Sequence, residues 1–83
     1  MDIRHDSAAQ RFETEEDGQA AWLDYERDPD GIVTITHTIV PDALGGRGIG
    51  SALVRAAWDW TRETGVPLRS TCSFATAWLK RNA

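Results

Sequence analysis

The chain has 83 residues, a net charge of −4 and 41% hydrophobic residues, four of them tryptophan. That is room for one domain spanning residues 1–83, with a thin core. An acidic chain without a basic run excludes nucleic-acid binding by phosphate neutralisation. The single cysteine, Cys72, excludes an internal disulfide.

No apolar stretch approaches the roughly 20 residues of a membrane span. The start, Met1-Asp2-Ile3-Arg4-His5-Asp6, lacks the apolar centre of a signal peptide, so a cytoplasmic location is expected. Ile3 to Asp6 reads as a short first strand. Arg11 to Glu16 and Gln19 to Arg27 flank Asp17-Gly18, a dipeptide that supplies the positive φ angles of a tight hairpin. Asp28-Pro29-Asp30-Gly31 is a second turn, leading into the β-branched run Ile32 to Val40. Simple alternation puts His37 on one face with Val33, Ile35 and Ile39. Trp22 shares a face with Asp24 and Glu26, where it would line a substrate groove, form a contact between two copies, or cover a bare sheet face.

Pro41, with no amide to continue the ladder, ends the fourth strand. From Ile49 the period changes: Ile49, Leu53, Ala56, Ala57 and Trp60 form one buried helical stripe, stopped by Gly65 and Pro67. Leu68 to Cys72 is a fifth strand, and Ser73 caps a short helix from Phe74 to Arg81 with Phe74, Trp78 and Leu79 turned inward. The fold class is therefore α+β: an antiparallel four-strand meander, then a βαβ crossover that sets the fifth strand parallel to the fourth, then a short C-terminal helix. His5, His37 and Cys72 have no metal-ligand spacing, so no metal site is expected.

Between the fourth strand and the long helix stands Gly45-Gly46-Arg47-Gly48-Ile49-Gly50-Ser51. A helix N-terminus offers unpaired amides and a partial positive charge, and glycines let an anion approach the backbone. Arg47 within the loop suits a phosphate contact. A Walker A loop needs a lysine that is absent here. A dinucleotide fingerprint needs a third glycine where Ser51 or Leu53 stands.

Gly48 and Gly50 do fill the two glycine slots of the pattern Gln/Arg-x-x-Gly-x-Gly/Ala, with Gly45 in the first slot. At these residues the sequence resembles the GNAT superfamily of N-acetyltransferases, and most closely its small single-domain, GNAT-like branch. Arg11-Phe12-Glu13, Leu23-Asp24-Tyr25, His37-Thr38-Ile39-Val40-Pro41 and Cys72-Ser73-Phe74 extend the resemblance over nearly the whole chain. The resemblance implies a minimal GNAT-like fold that binds acetyl-CoA. Ile39 and Val40 would pair with the pantetheine arm, and amides of Gly45, Gly46, Arg47, Gly48, Ile49, Gly50 and Ser51 would hold the diphosphate. The fourth and fifth strands would splay, and an amine would attack the thioester directly while a fourth-strand amide stabilises the oxyanion. An acidic chain fits a cationic acceptor, either a small amine or a protein lysine.

The resemblance departs at Ser73-Phe74, where relatives of this type carry Pro-Tyr, and Phe74 has no proton for the leaving thiolate. His37 is then either a half-buried histidine or the base that takes the amine's proton. Cys72 is either a small buried residue or a helix-terminal thiol that protonates the departing thiolate or carries the acetyl group. The expected function is an acetyl-CoA-dependent N-acetyltransferase, with a non-catalytic coenzyme A-binding module as the alternative. A homodimer over the bare sheet face is the expected form of self-association.

Overall fold

The apolar alternation of the first forty residues folds as an antiparallel meander in the computed structural model, which describes residues 1–83. Its strands are β1 (Arg4–Asp6), β2 (Arg11–Glu16), β3 (Gln19–Arg27) and β4 (Val33–Ile39). A 3-10 turn (Asp42–Leu44), helix α1 (Ile49–Thr64), strand β5 (Leu68–Ser70) and helix α2 (Ser73–Asn82) follow. The five strands form one sheet in chain order, antiparallel as far as β4 and parallel between β4 and β5. Asp17 at φ 52° and Gly18 at φ 76° make the β2–β3 turn, as a hairpin of matching twist requires. No helix is long and apolar enough to cross a membrane.

Helix α1 packs over β2, β3 and β4, and α2 lies beside it against β4 and β5. Phe12, Leu23, Tyr25, Val33 and Ile35 from the sheet meet Ile49, Leu53, Val54 and Ala57 of α1 and Ala75 and Trp78 of α2. Gly65 ends α1 in the left-handed conformation, and the Val66 amide closes back onto the Thr61 carbonyl at 3.0 Å. Thr61, rather than Trp60, takes the deep position of the fourth turn, its hydroxyl donating to the carbonyls of Ala57 and Trp58. Trp60 instead edges onto His5, Phe12 and Tyr25 in an aromatic cluster.

The strands and last helix differ slightly from their expected limits. Ile3, Ile32 and Val40 fall outside the strands, and β5 stops at Ser70, two residues before Cys72. Cys72, not Ser73, is the N-cap of α2. Phe74, expected inward, stands 42% exposed.

The larger correction concerns His37. Asp24 pairs with His37 but Tyr25 pairs with Ile35, so β4 carries one extra residue, Thr36, in a β-bulge. A one-residue insertion exchanges the faces of everything beyond it. Thr38 therefore pairs with buried Leu23 on the inner face. His37 and Ile39, opposite Asp24 and Trp22, point to the outer face, away from Val33 and Ile35.

Candidate functional site

The site is built where β4 hands over to α1. The Leu44 amide donates to the Pro41 carbonyl and the Gly45 amide to that of Asp42, closing a 3-10 turn. Buried Leu44 pins this turn to the core. Beyond it Gly46 and Gly48 take φ angles of 81° and 76°, values that side chains rarely tolerate. Gly48 is the N-cap of α1, so no capping side chain covers the helix end. The first helical bond runs from the Ala52 amide to the Gly48 carbonyl at 3.0 Å. The amides of Ile49, Gly50 and Ser51 are left without helical partners, at the positive end of the helix dipole.

These amides border an open cavity of about 260 Å³. Val40, Gly45, Gly46, Gly48, Ile49, Gly50 and Ser51 line it, as do Thr38, Leu44 and Phe74. Of the residues expected to hold the cofactor, Ile39 and Arg47 do not line it. The bulge turns Ile39 to the outer face, where it is 39% exposed. The Arg47 guanidinium reaches instead to the β2–β3 turn, with Nη1 2.6 Å from the Asp17 carboxylate.

Three lining residues escaped the sequence reading. Leu44, an isolated apolar residue between Pro41 and Gly45, was a legible signal of a pinned loop. Thr38 depends on the bulge, which leaves no mark in the sequence, and Phe74 was assigned to the core.

At the inner end of this cavity β4 and β5 part. Their last backbone link is the Thr71 amide to the Ile35 carbonyl at 2.9 Å. Cys72 does not itself line the cavity, but its Sγ lies 3.5 Å from Oγ1 of Thr38, which does. Ser70 Oγ accepts from the Cys72 amide at 3.1 Å and donates to its carbonyl at 2.9 Å, fixing the backbone from which the thiol projects. Burial pushes the Cys72 thiol up, but the amide of Ala75, the Thr38 hydroxyl and the amides of Phe74 and Thr38 all favour the thiolate. The balance puts its pKa below the ordinary cysteine value.

His37 lies on the other side of β4, exposed, with Nδ1 3.2 Å from Thr36 Oγ1. It does not touch the cavity. Tyr25 does not reach it either. Its hydroxyl lies 2.6 Å from His5 Nε2, within the aromatic cluster around Trp60. Trp60 is eleven residues along α1 from Ile49, about 16 Å away at the helical rise. Burial, chiefly, raises the Tyr25 pKa, with Arg27 opposing and Asp6 adding to the shift. No three His, Cys, Asp or Glu side chains converge as a metal site would require.

The model of the GCN5-related N-acetyl-transferase family matches residues 11–83 of this chain. Protein NATD1 of Gallus gallus is 34% identical over 84 residues, covering 99% of this chain and 76% of the relative. Protein NATD1 of Mus musculus is 35% identical over 82 residues, covering 96% and 74%. Among solved structures, a GCN5-like candidate N-acetyltransferase from Staphylococcus aureus superposes with a TM-score of 0.74 at 29% identity, over 96% of this chain and 78% of that one. A candidate acetyl transferase from Pyrococcus furiosus shares the fold with a TM-score of 0.57 at 24% identity, over 88% and 57%.

Proposed function

The chain belongs to the GCN5-related N-acetyltransferase family, and from that premise we propose that it transfers acetyl from acetyl-CoA to an amine, either a small amine or a protein lysine. The observation that carries this reading is the set of free amides at the start of α1, bordering a cavity that follows the end of β4. Such amides suit a diphosphate, because they offer oriented donors and a positive dipole end without a lysine. The amides from Gly45 to Ser51, with Arg47 released from Asp17, would take that group. The Ile39 and Val40 backbone would carry the pantetheine arm towards Thr38.

Acetyl-CoA supplies the activated thioester. The amine nitrogen bonds to its carbonyl carbon, and the carbon–sulfur bond breaks. His37, on the outer face of β4 and outside the cavity, takes the amine's proton through water. Cys72 returns a proton to the departing thiolate, the role that Phe74 lacks the hydroxyl for and that Tyr25 is too distant to fill. Its position supports this role, since Sγ lies 3.5 Å from Thr38 Oγ1 on the cavity wall.

Calorimetry tests the first half: acetyl-CoA binds, whereas ATP and NAD do not. Indifference to millimolar coenzyme A and acetyl-CoA alike would end the proposal. A thiol-release assay with a panel of amines tests the second half. His37→Ala is expected to lower turnover by about 10²-fold, within the range for a general base, with acetyl-CoA affinity nearly retained. Unchanged turnover removes His37 from the mechanism. Intact-mass measurement after incubation with acetyl-CoA reports whether Cys72 also carries the acetyl group.

The second reading is a coenzyme A-binding module without turnover. It is favoured by the placement of the only tyrosine hydroxyl at the far end of the core. Tight acetyl-CoA binding with no thiol release for any amine would select it.

A further inference from the structure

Phe74 is out of keeping with the helix that carries it. Ala75 and Trp78 of α2 are buried, yet the Phe74 ring stands 42% exposed in the first turn. The ring is nevertheless seated. A Cβ added at Gly50 would lie 3.0 Å from Phe74 Cζ and 3.1 Å from Cε2, so the ring rests on the bare backbone of α1. Gly50 has an ordinary helical φ and is needed there for lack of a side chain, not for its backbone freedom. The backbone end of Phe74 lies two residues beyond Cys72, whose thiol sits 3.5 Å from Thr38 Oγ1. Phe74 thus lines the same cavity as Thr38, with its ring tip against the first turn of α1.

We propose that Phe74 limits the length of the acyl group the protein accepts, its ring narrowing the cavity it shares with Thr38 so that acetyl fits and longer straight-chain acyl groups do not. This rests on the acetyl-CoA reading and deepens it. The other apolar side chains that line the cavity are Val40, Leu44 and Ile49, the last two anchored in the core. Phe74 is the one exposed large apolar side chain among them, and its ring tip meets Gly50, where any Cβ would crowd it. An acyl chain extended by several methylenes must displace the ring from that seat or leave the slot, and overpacking of either kind weakens binding.

The test is calorimetry with free coenzyme A and with its acetyl, butyryl and hexanoyl thioesters. The wild-type protein is expected to bind hexanoyl-CoA about ten-fold or more weakly than acetyl-CoA. Phe74→Ala is expected to shrink that ratio to about three-fold or less, and Phe74→Tyr, which keeps the ring, to preserve it. Gly50→Ala, whose methyl pushes the ring off its seat towards the cavity, is expected to steepen the preference. A wild-type protein indifferent to chain length, or a Phe74→Ala variant with the wild-type ratio, overturns the proposal. Failure of free coenzyme A to bind the wild-type protein overturns the underlying reading instead.

Discussion

At the β2–β3 turn the Arg47 guanidinium is engaged by Asp17, both side chains remaining largely in water. An exposed pair of this kind contributes at most about 1 kcal/mol, so an arriving diphosphate can compete for the arginine. Asp17→Asn keeps a residue tolerant of positive φ while removing the competing charge. It is expected to tighten coenzyme A binding by about two- to five-fold at low ionic strength, an advantage that salt erodes. Calorimetry at two salt concentrations checks this, and unchanged affinity would mean that Arg47 never meets the ligand.

At the other end, His5 stacks on Phe12 with ring centroids 4.1 Å apart and shares a hydrogen bond with Tyr25. Burial, opposed by Asp6, lowers the His5 pKa. A depressed histidine pKa means that the fold prefers the neutral ring. The resulting stability is therefore full above the ordinary value of about 6.5 and declines as pH falls through the lower folded value. Melting temperature should drop between pH 7 and pH 5, and His5→Gln, which does not titrate, should flatten that part of the profile.

Among the elements, the meander and α1 were legible because their periods of two and 3.6 are written in the side chains. The loop was legible because glycines at a strand-to-helix junction have few other uses. The bulge was not. Nothing local marks Thr36 as the extra residue, since the count of β4 is set by its register against β3, and simple alternation therefore puts His37 and Ile39 on the wrong face. Phe74 was misassigned for a related reason. It shares a helical stripe with Trp78, but the first turn of α2 overhangs α1 at Gly50 rather than the sheet.

The glycines of the loop also separate into two kinds. Gly48→Ala imposes a left-handed conformation on a Cβ-bearing residue, which costs about 1–2 kcal/mol. Chemical denaturation should register that loss. Gly50→Ala adds a better helix former at an ordinary φ, so its melting temperature should change little even as ligand preference shifts.

For the molecule as a whole, both helices lie on the inner face of the sheet. Ser70 and Thr76 join hydroxyls at 3.0 Å on that side, and Arg55 of α1 lies 5.3 Å over the Trp78 ring of α2. The outer face carries Arg4 with Glu13, Arg11 with Asp24, and Trp22 beneath the Arg11 guanidinium. A core this small makes ligand linkage conspicuous. At a hundred-fold excess over its dissociation constant, coenzyme A should add about 2.7 kcal/mol, and a domain of this size gains roughly 4–8 °C in melting temperature per kcal/mol. A thermal-shift titration in which coenzyme A moves the transition and NAD does not would agree with the loop as the anchoring point.

The extra residue in β4 has a kinetic corollary. Because it turns Thr38 to the inner face and His37 to the outer, a thioester arriving beside Thr38 and an amine arriving beside His37 would enter by separate doors. Neither would have to leave before the other could come in. Initial-velocity plots should then converge rather than run parallel, and a non-reactive coenzyme A analogue should compete with the acetyl donor but not with the acceptor.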